Sequence, residues 1–106
     1  MVLKTPQSTK DYIFIVDLAE ALLTVTEARF EGTINLGTGV GVSVREIART
    51  LSTMVGRERL VEEASEAAVD PLGYVVADAS RIHGLGWKPA HTIEQGLREL
   101  MKSQKI

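Results

Sequence analysis

Three adjacent side chains near the start of the chain carry groups that could bind a ligand. Lys10 has a cation, Asp11 a carboxylate and Tyr12 a phenol. They stand at the beginning of a β-branched and aromatic run at residues 12–15, and such a run predicts a short strand. Charged and aromatic groups in that place usually form the solvated start of a strand. The trio by itself therefore does not indicate a binding site.

A glycine-rich loop at residues 37–41 (GTGVG) is the second candidate, because it lies between a predicted strand at residues 33–36 and a predicted helix. Glycines let backbone N–H groups approach an anion, and a helix N-terminus carries partial positive charge. The dinucleotide fingerprint G-x-G-x-x-G would need a third glycine at position 42, where the chain has Val42. We therefore favour a structural turn for residues 37–41, with contact to a ligand as the alternative.

The other polar groups have simpler interpretations, and none completes a catalytic set. Asp17 and Asp78 are placed to cap helices, and Asp70 precedes a proline at the start of a turn. Ser43 is the best placed hydroxyl, but no His or Lys base is indicated for it, so we interpret it as a cap. We predict no catalytic and no cofactor-binding residue in this chain.

The composition argues against several classes of function. The chain of 106 residues has no Cys, and His83 and His91, which we interpret as surface residues, have no obvious third ligand, so we predict no metal site. Twelve basic against 14 acidic side chains give 12 − 14 = −2, which does not favour a nucleic-acid partner. Apolar runs are short and the N-terminus does not resemble a signal peptide, so we expect no membrane partner and a cytoplasmic location.

The first half of the chain predicts two strand–helix units. The strand at 12–15 leads into a helix from Asp17, which caps it together with Glu20. The strand at 33–36 is expected to lie parallel to the first one, because the intervening residues suffice for a helical crossover.

The helix after Ser43 has the clearest signal in the sequence. Its apolar residues recur at helical spacing, Ser43 and Glu46 form an S-x-x-E capping box, and Gly56 stands where a left-handed residue would end it. The sequence supports this helix more strongly than any other element of the chain.

Shorter elements are predicted in the second half of the chain. In order they are a strand at 60–62, a flexible loop at 63–70, a strand at 74–76, a short helix capped by Asp78 and ending near Gly84 or Gly86, a core anchor at Trp87, a last helix with a Thr92–Gln95 capping box, and a frayed tail at 102–106. The order β-α-β-α followed by short strands and helices places the chain in the α/β class. A single modest core fits this length, which is too short for separate cofactor and substrate domains.

Three segments are more informative in their order along the chain than individually: KDYIFIVDLAEALL, GTINLGTGVGVSVREIARTLSTMVG and YVVADASRIHGLGWKPAHTIEQGLREL. Together they resemble the C-terminal third of the extended short-chain dehydrogenase/reductase family, and most closely its NAD-dependent nucleotide-sugar epimerases and dehydratases. The family reads approximately R-D-Y-I-x-V-x-D-x-A-x-A, then N-L-G-x-G-x-x-x-S-V, then A-D-x-S-K…L-G-W-x-P…S-L-x-x-G-L. The resemblance covers about residues 8 to 101.

This resemblance implies roles for residues that were uninformative alone. Lys10 stands where the family usually has an arginine that meets the nucleotide diphosphate, and Tyr12 follows at an aromatic position near the nucleotide. These two are the predicted substrate-binding residues. Asp17 matches an aspartate at the start of the next helix, and residues 35–37 match the strand that joins the edge of the cofactor-domain sheet.

Two departures from the family pattern weaken the implied site. The loop before the A-D-x-S-K-like segment has Ala67 and Ala68 where an arginine is usual, and Lys10 lacks the guanidinium fork that suits phosphate. Nucleotide-sugar binding is therefore expected to be weak or absent in isolation. The family's Rossmann half, with its glycine fingerprint and Tyr-x-x-x-Lys pair, has no counterpart in this sequence.

We therefore expect residues 1–106 to form a single C-terminal substrate-binding domain or fragment of an NAD-dependent nucleotide-sugar epimerase or dehydratase, without the N-terminal NAD-binding domain and not catalytic on its own. NAD is implied for the full-length enzyme, which would be an isomerase or lyase, and no cofactor for this chain. The alternative is a stand-alone small α/β protein-interaction module. Self-association is expected through the surface that a cofactor domain would otherwise cover.

Overall fold

The computed structural model describes residues 1–104, which form an α/β fold of short strands and four α-helices. The strands are β1 (Val2–Leu3), β2 (Thr9–Asp11), β3 (Gly41–Ser43), β4 (Glu62–Glu63) and β5 (Tyr74–Val75). The helices are α1 (Ile15–Glu27), α2 (Val44–Met54), α3 (Ser80–Gly84) and α4 (Ile93–Gln104), with a 3₁₀-helix at Glu58–Leu60. Within residues 1–104, no helix combines the length and the apolar character needed to cross a bilayer.

Strand β2 is the centre of the larger sheet, whose order is β3-β2-β5. It runs antiparallel to β3, with Lys10 opposite Val42, and parallel to β5, with Lys10 opposite Val75. A second, two-stranded sheet pairs β1 with β4 in parallel. The sequence around Lys10 is therefore held between segments from the middle and from the last third of the chain.

The strand predicted at 12–15 is wrong. The nearest strand, β2, ends at Asp11, and Ile15 already begins α1. The apolar residues between them are half-buried, and they make no strand pairing: Ile13 packs against the core, and Phe14 lies against Gly96 of α4. Asp17 consequently lies inside the first turn of α1. The predicted Asp17 cap is wrong, since the N-cap position is Phe14 and has no side-chain cap bond.

The strand predicted at residues 33–36 is absent, and so is its parallel pairing with the first strand. Burial still alternates along this segment, and Ile34 and Leu36 pack against the core. Among the described residues, however, no backbone group of 33–36 is paired with another backbone group, and only the Thr33 carbonyl has a partner, the Arg81 side chain. The segment has the side-chain pattern of a strand without a neighbouring strand to complete it.

The capping predictions are confirmed where the signals are local. Ser43 Oγ accepts a hydrogen bond from Glu46 N at 3.1 Å, and Gly56 follows α2 with a φ of +69°. At α4, Gln95 N donates to Thr92 Oγ1 at 3.2 Å and Thr92 N donates to Gln95 Oε1 at 2.9 Å. Both helices therefore begin where their capping residues place them.

Of the remaining predictions, the strand at 74–76, the short helix ending near Gly84 and the core position of Trp87 are confirmed, and the others differ from the structure. Strand β5 matches the strand predicted at 74–76, but the one predicted at 60–62 is a 3₁₀-turn followed by β4. Asp78 accepts a hydrogen bond from Ser80 N at 3.1 Å, but the predicted Asp78 cap is wrong, since the N-cap position of α3 is Ala79. Trp87 is 5% exposed and forms the core with Ala21, Ala79 and Ile82. In the predicted frayed tail, residues 102–104 continue α4, and residues 105–106 lie outside the described residues.

Candidate functional site

The Asp11 carboxylate, at the end of β2, organises the glycine-rich loop. Its Oδ1 accepts hydrogen bonds from Thr38 N at 3.0 Å and Thr38 Oγ1 at 2.6 Å, and its Oδ2 accepts from Gly39 N at 2.9 Å and Ala77 N at 3.2 Å. Burial alone would raise the pKa of Asp11, but these hydrogen bonds outweigh it and hold the pKa below its usual value of 3.8. One ionised side chain therefore joins β2, the loop and the segment after β5.

The glycine-rich loop is consequently a structural turn whose amides are already bound. A Cβ at Gly37 would lie 2.6 Å from the Ala77 Cβ and 2.8 Å from Asp11 Oδ2, so a side chain cannot be accommodated there without displacement. Gly39 has a φ of +78°, which favours glycine. This loop does not suit the phosphates of a dinucleotide, because the N–H groups of Thr38 and Gly39 donate to the Asp11 carboxylate, which would also repel an anion.

Lys10 does not present a free ammonium group. Its Nζ lies 3.3 Å from Asp70 Oδ2, and the same oxygen accepts a short hydrogen bond from the hydroxyl of the buried Ser8. Asp70 Oδ1 accepts from Leu72 N at 3.0 Å. The bonds from Ser8, Leu72 and Lys10 hold the pKa of Asp70 below its usual value of 3.8, so the carboxylate is ionised at neutral pH.

The two predicted substrate-binding residues line different grooves. Lys10 borders an open groove of about 780 Å³, together with Asp11, residues 34–37 and residues 75–78. Tyr12 borders a mainly apolar groove of about 570 Å³ between the start of α1 and α4. The structure thus places Lys10 and Tyr12 two positions apart on one chain segment but does not bring them into a single cavity. Their substrate-binding role stays a prediction.

A hydrogen-bonded pair with a buried carboxylate, which the sequence did not reveal, lies beside the Tyr12 groove. Asp17 is 1% exposed, its Oδ2 accepts from His91 N at 3.0 Å, and its Oδ1 lies 3.0 Å from His91 Nδ1. The His91 ring is also in contact with Phe14, at a centroid separation of 4.7 Å. His91 is therefore half-buried and bonded to Asp17, and the surface interpretation holds only for the exposed part of its ring. A signal was present in the spacing of Asp17 and Ala21, because i and i+4 share a helix face.

His83 is likewise not a surface residue. Its Nε2 and the Nε1 of Trp87 are both buried and have no hydrogen-bond partner within the described part of the chain. The two rings are stacked with centroids 6.2 Å apart. His83 also lies beneath the glycine-rich loop, since its Cε1 would be 3.8 Å from a Cβ at Gly39.

Residues 1–104 contain no group of three or more His, Cys, Asp and Glu side chains placed to hold a metal ion. The polar groups around β2 are instead paired with each other: Asp11 with loop amides, Lys10 with Asp70, and Asp17 with His91. What this arrangement offers chemically is a half-exposed ammonium group beside an open groove and a phenol beside an apolar one.

Comparison with known proteins gives this geometry a context, although no family model matches the chain. The chain is 39% identical over 100 residues to UDP-glucose 4-epimerase of Azospirillum brasilense, which is 88% of this chain and 28% of that protein. It is 32% identical over 99 residues to GDP-L-fucose synthase of Escherichia coli, which is 83% of this chain and 30% of that protein. The UDP-glucose-4-epimerase of Stenotrophomonas maltophila, solved with bound NAD and formylated UDP-arabinopyranose, is 30% identical and superposes with a TM-score of 0.74 over 93% of this chain and 31% of its own.

Over most of its length, the chain matches the extended short-chain dehydrogenase/reductase family. The resemblance expected from its three segments is thereby confirmed, and its fold is that of the C-terminal part of this family without the Rossmann half. The chain spans 27 to 35% of the length of the first curated relatives that it matches. These relatives differ in the nucleotide and sugar that their names specify, so the match to the short-chain dehydrogenase/reductases does not assign a substrate.

Proposed function

We propose that this chain is the substrate-binding part of an NAD(P)-dependent nucleotide-sugar epimerase, dehydratase or reductase, and that it is not catalytic on its own. The observation that carries the proposal is the match of most of this chain to about a third of such enzymes, together with the position of Lys10 and Tyr12 at the end of β2. An epimerase would be an isomerase, and we favour that class because two UDP-glucose 4-epimerases are among the relatives.

A nucleotide-sugar is long enough to use both predicted contacts. Residues two apart on an extended segment have Cα atoms about 6.6 Å from each other. Lys10 would meet a phosphate in its open groove, while Tyr12, which is 38% exposed, would contact the base or ribose beyond the end of β2. The lysine provides charge but no bidentate fork, so the affinity of the isolated chain should be low.

The proposed lack of catalysis rests on the residues that stand four positions after the two tyrosines. Tyr12 and Tyr74 are followed four residues later by Val16 and Asp78, so neither has the lysine of a Tyr-x-x-x-Lys pair. Tyr74 is exposed on an edge strand and away from the apolar groove. Without that lysine, neither phenol has the partner that the Tyr-x-x-x-Lys pair uses for proton transfer.

Isothermal titration with UDP-, dTDP- and GDP-sugars tests this proposal. We expect a dissociation constant in the millimolar range for at least one of them, weakened about fivefold or more in Lys10→Gln. Lys4→Gln is the matched control, because Lys4 is an exposed lysine outside both grooves. No heat with any sugar nucleotide at millimolar concentration would contradict substrate binding by this chain.

A second candidate function, association with another copy of the chain, is favoured by one specific surface. The unpaired segment at 33–36 offers free backbone groups, and helix α1 exposes Ile15, Leu22 and Leu23 by 53 to 69%. A second copy could pair its own segment in an antiparallel manner and cover these side chains. Sedimentation should show a dimer at micromolar concentrations that is lost in Leu22→Glu. A monomer throughout that range would contradict this candidate.

A further inference from the structure

The Lys10 ammonium group is already occupied by an anion from its own chain. Asp70 Oδ2 lies 3.3 Å from Lys10 Nζ, and the two side chains are 28% and 31% exposed. Lys10 lines the adjoining groove, and Asp70 does not. A phosphate that pairs with Lys10 Nζ therefore has to share it with this carboxylate or replace the carboxylate. Like charges at such short range repel each other.

The position of Asp70 is fixed by a turn that the sheet itself holds. Thr9 N donates to the Gly73 carbonyl at 2.7 Å, and β5 follows at once in parallel register with β2. Leu72 N donates to Asp70 Oδ1, and Ser8 donates to Oδ2. The carboxylate is therefore positioned beside Lys10 by two donors, Ser8 and Leu72, in addition to the lysine itself, with no need for a ligand.

We propose that Asp70 is a built-in competitor for the Lys10 site, so that a phosphate-bearing ligand binds only by displacing Asp70 from Lys10 and from Ser8. This inference rests on the proposed function, because it concerns the same anion site. It adds an autoinhibitory contact, in which the turn at residues 70–73 must release its carboxylate before the diphosphate of a nucleotide can pair with the lysine. The weak affinity for a nucleotide-sugar is then due to Asp70 as well as to the missing arginine.

The contact also makes the site selective for the charge of its ligand. A monoanion gains no more from Lys10 than Asp70 already does, whereas a diphosphate brings more than one negative charge and can replace the carboxylate. A neutral sugar has no means to displace it. The chemistry therefore favours a nucleoside diphosphate group, or inorganic pyrophosphate as its simplest equivalent, over acetate or a free sugar.

Titration of the full chain with inorganic pyrophosphate, followed by ¹H–¹⁵N NMR, tests the competition directly. Asp70→Asn keeps the Oδ1 acceptor for Leu72 N and removes the charge, so we expect pyrophosphate to bind about fivefold tighter than in the wild type. Glu31→Gln is the control for net charge, since Glu31 is exposed and lines none of the grooves described here. It should leave the affinity unchanged.

Two further readouts keep the test decisive if Asp70→Asn folds poorly. In the wild type, pyrophosphate should shift the Leu72 amide resonance as Asp70 leaves, and Ser8→Ala, which removes one hydrogen bond of Asp70, should increase the affinity by a smaller factor. Unchanged Leu72 and Ser8 resonances on binding, or equal affinities in wild type and Asp70→Asn, would overturn the proposal.

The outcomes also separate this inference from the proposed function. If Asp70→Asn binds pyrophosphate but the wild type binds no sugar nucleotide, the competition stands and substrate binding by the natural chain fails. If the wild type binds sugar nucleotides through Lys10 while Asp70 keeps its contacts, the proposed function stands and the competition fails. If neither protein binds pyrophosphate, the competition is refuted, because a lysine freed of its carboxylate should bind it.

Discussion

Replacing Asp17 with alanine removes the acceptor of two hydrogen bonds from a single residue, His91. One comes from the backbone N–H of His91 and the other involves its Nδ1, both at 3.0 Å. The carboxylate is almost completely buried, so water cannot take its place without entering the packed region between α1 and the start of α4. The His91 backbone N–H would be left without a partner.

The expected loss follows from these contacts. Hydrogen bonds to charged groups contribute about 1.5 to 3 kcal/mol each, so Asp17→Ala should lower the free energy of unfolding by about 3 to 5 kcal/mol. A domain of this size changes its melting temperature by about 4 to 8 °C per kcal/mol. We therefore expect a decrease of at least about 12 °C, which is a large part of the stability of a small domain.

Urea denaturation followed by Trp87 fluorescence measures this loss, because Trp87 lies in the core. Asp78→Ala is the matched control: it makes the same substitution at an exposed aspartate that accepts one backbone hydrogen bond, and it should cost about 1 kcal/mol. Asp17→Asn retains an acceptor for the backbone N–H and should fall between the two. If Asp17→Ala costs no more than Asp78→Ala, the buried pair does not hold α1 to α4 and the reasoning is refuted.

Three other predictions follow from the geometry around the larger sheet. Gly37→Ala should lower the melting temperature, since its Cβ would meet Ala77, whereas Gly84→Ala, with nothing within 4 Å, should leave it unchanged or raise it slightly. The pKa of Asp11 is lowered in the folded state, so the contribution of Asp11 to stability is present above the usual pKa of 3.8 and is lost as the pH falls below it. Unfolding measured between pH 7 and 3 should show this loss, and Asp11→Asn should show less of it. Ser43→Ala should cost about 1 kcal/mol in denaturant unfolding, as expected for a lost helix cap.

Local signals in the sequence predicted the helices well because their determinants are only three residues apart. The capping pairs Ser43–Glu46 and Thr92–Gln95 each lie within one turn, and both helices begin at these residues. The segment at 33–36 shows the limit of such signals. Its alternating side chains predict a strand, but a strand also requires a neighbour, and the described residues do not provide one.

The same distinction explains what could be predicted of the candidate site. The position of Lys10 and Tyr12 was visible from the resemblance of the surrounding segment. Asp70, which pairs with Lys10, is 60 residues away along the chain, and His91, which bonds to Asp17, is 74 residues away. No local pattern could have indicated either partner. Single-sequence patterns predict elements, whereas ion pairs between distant segments depend on the packed fold.

The carboxylate of Asp11 has a consequence for the order in which the chain folds. Its four hydrogen bonds connect segments separated by 27, 28 and 66 positions, so the glycine-rich loop cannot be fixed fully until β5 has paired with β2. Closure of loops of such different lengths is entropically costly and delays folding relative to local helix formation. The helices should therefore form early, and the Ala77 amide should be among the last groups to gain protection from hydrogen exchange during refolding.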